Sequence, residues 1–213
     1  MAKPPVPGRV KTRLIGALTA EQAAEVHAAM LKCVLDRLAS LWPCKRRTGL
    51  ILAMNGAADW PIDDHWDRLD QGTGDLGQRI GYVWQVLGGE PAAFFGTDSP
   101  DIPADLIGSV ASALNETDAA LGPVLDGGYW TVAARKLCQP MLTGIDWGTD
   151  RVYHQSLAAA EHAGLKVARL EPWHDVDSPA DLTTLRHRIA NSQEPPLAEL
   201  RRTLDQICKD IWP

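Results

Sequence analysis

Apolar positions in this chain recur at two spacings that alternate along its length. A capping box formed by Thr19 and Gln22 precedes apolar residues three or four positions apart, which predicts a long first helix. Short apolar runs at 49–54 and 92–96 instead predict buried strands, each followed by polar or turn-forming residues. Strands that alternate with helices indicate an α/β domain with a mostly parallel sheet and helices on both faces.

The same alternation continues through the second half of the chain. Residues 66–71 are not strand-like, so we expect no strand there. The remaining predicted elements are a helix over 75–87, a helix opened by Pro103, strands over 119–123 and 129–134, a helix over 149–163, a strand over 165–170, a helix started by Ser178, and a last amphipathic helix over 197–211. We therefore expect a domain over 1–190, and a linker with an amphipathic helix over 191–213.

Composition narrows the classes of function. With 213 residues, 45% of them hydrophobic, the chain can bury one sizeable core. A net charge of −6 argues against nucleic-acid and membrane surfaces as partners, because both need a broad basic face. The four cysteines form no C-x-x-C pair, and no apolar run reaches the length of a membrane span. We expect a soluble cytoplasmic protein with small-molecule partners and neither structural zinc nor disulfides.

The start of the chain concentrates positive charge on a turn-rich segment. Gly8, Arg9, Lys11 and Arg13 follow three prolines, and Lys3 lies just before them. Guanidinium forks and an ammonium group neutralise phosphate oxygens, and glycine allows close backbone approach. A frayed basic terminus is the alternative, although the prolines argue against it. The segment predicts a site for the phosphates of a nucleotide.

Acidic residues stand where strands are expected to end. Asp98 directly follows the strand predicted over 92–96, and its carboxylate could hold Mg²⁺ or Mn²⁺, or only cap the next helix. Asp175 and Asp177 form a D-x-D pair after another strand, and in extended backbone both would point the same way. Capping and solvation are the alternative for this pair, as is a metal role for only one of the two.

Two further segments are candidates for contact with a sugar or an acceptor. Asp126, Gly127 and Gly128 lie between two predicted strands, where they could form a simple hairpin turn or let the backbone lie flat against a sugar. Trp147 could supply an aromatic wall or pack in the core.

A glycine motif at 72–77 satisfies the G-x-G-x-x-G pattern of dinucleotide-binding proteins. That fingerprint must follow a strand directly, and because no strand is expected before it, we discount the dinucleotide interpretation. Gly72 could still approach a nucleobase, with Gln71 offering its amide to the edge of the ring.

These motifs, in this order, resemble the DUF2064 family of bacterial GT-A-like transferases, described as glycosyltransferases. The resemblance covers about residues 2 to 190 and rests on the segments 2–14, 71–79, 96–101, 122–130, 147–149 and 175–182. It implies a single-domain nucleotide-diphospho-sugar transferase fold of Rossmann type.

The resemblance also implies roles for individual residues. The phosphate clamp maps to Gly8, Arg9, Lys11 and Arg13, and the base is read near Gln71 and Gly72. Asp98 is similar to the metal-binding acid of the family, and Asp175 or Asp177 to its second acid. The sugar or acceptor is expected near Asp126, Gly127, Gly128 and Trp147, and the expected catalytic residues are Lys11, Arg13 and Asp98.

One departure from the family concerns the first strand. Members carry an apolar strand directly before the segment that matches Ala2 and Lys3, whereas this sequence begins at Met1. We expect the first, central strand of the sheet to be absent and to leave a gap of several side chains. Each lost large core side chain typically costs ~2–5 kcal/mol, so we expect that the natural start lies upstream or that this version is poorly active.

The leading functional hypothesis is a metal-dependent transferase that takes a nucleoside-diphosphate sugar and passes the glycosyl group to a small acceptor, using Mg²⁺ or Mn²⁺. One alternative is nucleotidyl transfer, in which a nucleoside triphosphate releases pyrophosphate. An alternative of another class is a non-catalytic nucleotide-binding or interaction module.

Overall fold

A computed structural model of the protein describes residues 1–42, 49–56, 61–64 and 66–209. The strands are β1 (Leu50–Met54), β2 (Trp66–Asp70), β3 (Ala92–Phe95), β4 (Ala119–Pro123), β5 (Tyr129–Ala134) and β6 (Val167–Arg169). The α-helices are α1 (Ala20–Leu41), α2 (Leu76–Val86), α3 (Ala104–Glu116), α4 (Val152–His162), α5 (Pro179–Ile189) and α6 (Pro195–Ile207). The alternation of strands and helices confirms the predicted α/β class.

The strands form two separate sheets. β1 and β2 pair in parallel, and the second sheet has the order β3-β5-β4-β6. β5 runs antiparallel to both of its neighbours, whereas β4 and β6 are parallel. Within each sheet, every strand except β5 therefore runs in one direction, as expected for a mostly parallel arrangement.

The prediction of no strand at residues 66–71 is wrong. β2 occupies Trp66–Asp70 and pairs residue by residue with β1. Its side chains are intermediate or exposed, because β2 is an edge strand, so the sequence lacks the apolar run that marks a buried strand. The glycine motif at 72–77 therefore does follow a strand, and the absence of a strand is not a valid reason to discount it.

Helix starts agree well with the sequence signals. Thr19, Asp75 and Ser178 each accept a hydrogen bond from the backbone three residues later, and each forms a complete capping box. Pro103 is the N-cap residue of α3. The last helix, predicted over 197–211, instead runs from Pro195 to Ile207, with Cys208 and Lys209 beyond its end, and residues 210 and 211 lie outside the described ranges.

The C-terminal helix is part of the main core. Leu197, Leu200 and Leu204 of α6 belong to one buried cluster with apolar residues of α1 and α5. α6 therefore packs on the same body as the preceding elements. Among the described residues, no helix combines the length and apolar character needed to cross a bilayer.

Candidate functional site

A cavity of about 840 Å³ opens where β1, β2 and β3 end. Asn55, Gln71 and Asp98, which come directly or shortly after those three strands, all line it. The N-terminal segment closes another side of the cavity with Lys3, Arg9, Lys11 and Arg13, and Asp177 approaches from the start of α5. The cavity therefore lies at the carboxyl ends of the strands, where open α/β proteins bind their ligands, and polar side chains line it.

Lys11 is the central side chain of this cavity. Only 3% of its side chain is exposed, and its ammonium donates to Asp98, to Asp177 over 3.1 Å, and to the Val176 carbonyl over 2.6 Å. An ammonium has three hydrogens, so these partners can take all of its donors. The backbone of Lys11 has φ 45°, a left-handed conformation that residues other than glycine rarely adopt.

Lys11 and Asp98 each stabilise the ionised form of the other. Burial alone would lower the pKa of Lys11, but the charges of Asp98 and Asp177 outweigh it and raise that pKa. Burial alone would raise the pKa of Asp98, but the charge and hydrogen bond of Lys11 outweigh it and lower that pKa. Lys11 and Asp98 are therefore both ionised at neutral pH.

More exposed cations surround this pair. Arg13 keeps 75% of its side chain exposed and reaches Asp177 over 3.4 Å. Lys3 and Arg9 are exposed residues of the cavity wall, and the half-buried Arg79 of α2 also lines the cavity. Gly8, with φ 74°, lies beside the wall and turns the chain into this basic segment.

Three carboxylates form a second acidic group next to the cavity. One oxygen each from Asp126, Asp175 and Asp177 lies within 4.8 Å of the others. Burial and the charges of Asp126 and Asp177 raise the pKa of Asp175 to about 6. The third member of this group is Asp126, whereas Asp98, the acid expected to share a metal with Asp175 and Asp177, is engaged by Lys11.

The turn between β4 and β5 is built tightly around Gly127. Its φ is 92°, and a Cβ atom there would lie 2.1 Å from the Asp150 carbonyl oxygen. The Gly127 carbonyl accepts from the Tyr153 amide over 2.9 Å, and the Gly128 amide donates to Asp126 over 3.0 Å. The turn therefore packs tightly against the start of α4. This packing holds the Asp126 carboxylate beside Asp175 and Asp177.

Of the two residues expected to contact the nucleobase, Gln71 lines the cavity and Gly72 does not. Gln71 is buried in the cavity wall, and its amide nitrogen donates to the Ala2 and Ala53 carbonyls over 2.9 and 2.7 Å. Both amide hydrogens are therefore used, which leaves the oxygen of Gln71 for a ligand. Gly72 donates its amide to Asp70 and lies outside the cavity lining, whereas Gly74 is part of it.

Trp147, expected near the sugar or acceptor, packs behind the cavity. Its ring meets that of Tyr129 edge to face at 6.2 Å and lies close to Gly77. Gly148, the next residue, lines the cavity itself.

Sequence analysis missed two buried polar side chains in the cavity wall. His27 donates from Nε2 to the Lys3 carbonyl over 2.9 Å, while its Nδ1 has no hydrogen-bond partner among the described residues. The Tyr129 hydroxyl is also buried without such a partner, and burial raises its pKa. No local pattern distinguishes these residues from core positions, because His27 and Tyr129 stand among mostly apolar residues of α1 and β5. Both atoms could accept or donate a hydrogen bond to a bound molecule.

Comparison with known proteins agrees with this geometry. Residues 43–149 match the model of the family described as "Uncharacterized protein conserved in bacteria (DUF2064)". No curated protein matches the chain. One similar crystal structure is that of a "putative nucleotide-diphospho-sugar transferase" from Desulfovibrio desulfuricans G20, with a TM-score of 0.82 and 30% sequence identity.

That similarity extends over nearly all of both molecules. It covers 96% of this chain and 94% of the Desulfovibrio chain, so the fold of this protein is that of the nucleotide-diphospho-sugar transferase structure. The family match independently spans about half of the chain, from the end of α1 to the turn before α4. The chain belongs to the DUF2064 family.

Proposed function

We propose that this protein is a metal-dependent transferase that binds a nucleoside-diphosphate sugar and passes the glycosyl group to a small acceptor. The observation that carries the proposal is the placement of opposite charges around one cavity. Lys3, Arg9 and Arg13 line it together with Asp98 and Asp177. A diphosphate requires cationic donors, and a divalent metal requires carboxylates, so this cavity offers both kinds of group to one ligand.

The three-carboxylate group fits a hard divalent cation. Asp126, Asp175 and Asp177 supply only oxygen ligands, the type that Mg²⁺ and Mn²⁺ prefer. Burial and repulsion among like charges raise the pKa of Asp175, and a cation would relieve that repulsion. When bound, the metal would offset the negative charge of the diphosphate. Asp98, the other acid expected to hold it, accepts from the Lys11 ammonium, and its role as a ligand stays a prediction.

The basic residues divide into two groups under this proposal. Lys11 is buried and fully engaged, so it sets the positions of Asp98 and Asp177. Arg9 and Arg13 are exposed on the cavity wall, and each can donate paired hydrogen bonds to phosphate oxygens. Transfer breaks the bond between the sugar and the diphosphate and forms a bond to an acceptor oxygen, releasing a nucleoside diphosphate and a proton. Arg9 and Arg13 would stabilise the charge that develops on the leaving diphosphate.

A second candidate is nucleotidyl transfer from a nucleoside triphosphate. It is favoured by the number of cations, since Lys3, Arg9, Lys11, Arg13 and Arg79 all line the cavity. In that reaction a phosphorylated acceptor attacks the triphosphate, and pyrophosphate leaves. The released product therefore separates the two candidates: nucleoside diphosphate supports glycosyl transfer, and pyrophosphate supports nucleotidyl transfer.

The test begins with thermal unfolding in the presence of nucleoside di- and triphosphates and nucleotide sugars, each with and without Mg²⁺ or Mn²⁺. A ligand that binds the folded state raises Tm, so the size of the rise ranks the nucleotides by how well they bind. Mass analysis of reactions with the best ligand then identifies the leaving group.

Two variants make this test specific to the cavity. Arg13→Ala removes an exposed cation of the wall, and Arg202→Ala removes an exposed cation of α6 that lies outside it. We expect only Arg13→Ala to reduce the nucleotide-dependent rise in Tm. Binding without turnover for any donor would support the non-catalytic module, and a panel without any metal-dependent response would contradict the proposed transferase.

A further inference from the structure

A largely buried ion pair joins the loop after β3 to α5. Asp101, three residues after Asp98, keeps only 4% of its side chain exposed. Its carboxylate accepts from Nε of Arg188 over 2.6 Å and from Nη2 of the same arginine over 3.1 Å. Because two bonds connect one guanidinium to one carboxylate, they fix the angle between the two groups as well as the distance.

Trp173 connects this ion pair to the acidic segments of the candidate site. Its indole Nε1 donates to the Asp101 carboxylate over 3.3 Å, and the guanidinium carbon of Arg188 lies 5.9 Å from the centre of its ring. The Trp173 amide donates to the Pro123 carbonyl over 3.0 Å, where β4 ends and the turn with the third acid begins. Trp173 also stands two residues before Asp175. One residue therefore contacts the ion pair with its side chain and the turn after β4 with its backbone.

The segment that carries Asp175 and Asp177 also bonds directly to the loop after β3. The amide of Val176, which lies between the two acids, donates to the Asp98 carbonyl over 2.9 Å, and Val176 itself is fully buried. The positions of these acids therefore depend on how their segment lies on that loop. The ion pair of Asp101 fixes the same contact from the other end of the loop.

Neither helix capping nor ligand contact accounts for this ion pair. The Asp101 carboxylate bonds to Arg188 and Trp173, and α3 begins at Pro103 without a side-chain capping bond. Asp101, Trp173 and Arg188 are not among the described residues that line the cavity. Replacing a buried ion pair by apolar residues is often neutral or stabilising, so stability alone gives little reason for the pair. What the pair supplies is a defined geometry between two segments.

We propose that Asp101 and Arg188 are positioning residues, which hold Asp175 and Asp177 at the spacing from Asp126 that a small divalent cation needs. This inference rests on the proposed function, because it takes the three-carboxylate group as the metal site. Mg²⁺ demands near-ideal octahedral geometry, whereas Ca²⁺ accepts irregular arrangements of oxygen ligands. Loss of the ion pair therefore weakens the binding of Mg²⁺ more than the binding of Ca²⁺.

The test compares two arginines of α5. Arg188→Met removes the pair with Asp101, and Arg186→Met removes a pair with Asp205 from the same helix. The two arginines are matched in burial, since 22% and 21% of their side chains are exposed. Calorimetric titration gives the affinity of each folded protein for Mg²⁺ and for Ca²⁺. We expect Arg188→Met to weaken Mg²⁺ binding at least about tenfold, as loss of a group that orients metal ligands typically does, and Ca²⁺ binding much less.

The ratio of the two affinities separates positioning from a loss of stability. A variant that is only less stable loses affinity for both ions in the same proportion, because only its folded fraction falls. Arg186→Met should keep the wild-type ratio, and equal ratios in Arg188→Met and Arg186→Met would overturn the proposal. A wild-type protein that binds neither ion would contradict the metal of the proposed function and this proposal with it, a result that is recognised before any variant is measured.

A double variant keeps the test decisive where Arg188→Met does not fold. Asp101→Leu combined with Arg188→Met replaces both charges by apolar side chains of similar size, which leaves no unpaired buried carboxylate. We expect its Tm to lie closer to that of the wild type than the Tm of Arg188→Met does, and its ratio of Mg²⁺ to Ca²⁺ affinity to stay low. A double variant with the wild-type ratio would show that the pair serves folding alone, which overturns the proposal.

Hydrogen exchange tests the same contact without any metal. The Val176 amide is bonded to the Asp98 carbonyl, and the Asn55 amide, after β1, is bonded to the Ala2 carbonyl. We expect the double variant to exchange the Val176 amide at least about tenfold faster than the wild type, because its segment separates more readily from the loop after β3. The Asn55 amide should exchange as in the wild type. Unchanged exchange at Val176 would contradict a positioning role for the ion pair.

Discussion

The ammonium of Lys11 donates to the carboxylate of Asp98, 87 positions later in the chain, and this bond joins the N-terminal segment to the end of β3. Asp177 accepts from the same ammonium, so the start of α5 is held at the same point. Three distant segments therefore meet at one buried charge. Because Lys11, Asp98 and Asp177 all line the cavity, this cluster holds one part of the cavity wall in place.

Replacing Lys11 should destabilise the protein more than replacing a surface lysine. Lys11→Met leaves Asp98 and Asp177 without their counter-charge, but their side chains are 49% and 36% exposed, so we expect a loss below the about 3–5 kcal/mol typical of breaking a fully buried pair. Lys32→Met is the control, because Lys32 pairs with Asp36 and Glu199 on the surface, where such pairs contribute roughly 0–1 kcal/mol. Urea unfolding measures both. Similar losses for the two variants would show that the Lys11 cluster is not structural.

Metal binding should depend on Asp126 more than on Asp98. Asp126 belongs to the three-carboxylate group, whereas Asp98 is bonded to Lys11. We expect Asp126→Asn to weaken Mg²⁺ or Mn²⁺ binding at least about tenfold, a loss that even residues supporting metal ligands can cause. Asp98→Asn should retain most of the metal response while changing nucleotide binding. Calorimetric titration with each metal gives the comparison, and the reverse order of effects would place the metal at Asp98.

Asp175 should make stability depend on pH between about 4 and 6. Its pKa rises from 3.8 to about 6 on folding, so the folded state binds the proton more tightly than the unfolded chain does. The contribution of Asp175 to stability is therefore complete below pH 3.8 and is lost as pH rises through about 6. Asp175→Asn should remove this contribution, and unfolding free energies of both proteins across this range measure the difference. A difference that does not vary with pH would contradict the crowding of the three acids.

The turn at Gly127 should tolerate no side chain. Gly127→Ala forces φ 92° on alanine and drives its Cβ into the backbone of Asp150, whereas the nearest atom to a Cβ at Gly128 is Val124 Cγ2, 3.3 Å away. Strain of this kind costs roughly 1–3 kcal/mol, and the clash adds to it. We expect Gly127→Ala to lower Tm clearly more than Gly128→Ala. Gly127→Ala should also weaken metal binding, since the turn positions Asp126.

The elements predicted best are those whose signals are local. The capping box at Thr19 and the cap residue Ser178 followed by Pro179 identified their helices because each signal needs only a few neighbouring residues. β2 was missed because an edge strand is stabilised by backbone pairing with β1, which leaves no periodic apolar pattern. The strand prediction therefore failed where structure depends on a distant partner.

The candidate site shows the same limit. Its carboxylates were recognisable from their positions after strands, but the sequence does not say which acid faces which cation. Lys11 selects Asp98 and Asp177 through the fold, and Asp126 joins Asp175 only because its turn packs on α4. The unpartnered atoms of His27 and Tyr129 likewise become visible only when the cavity walls are assembled.

A second cavity of about 490 Å³ lies between the two sheets, and it shares Met1, Phe94, Phe95 and Thr97 with the cavity of the candidate site. Phe94 and Phe95 belong to β3, so this strand presents side chains to both spaces. A substitution that repacks the space between the sheets would therefore also move the wall of the candidate site.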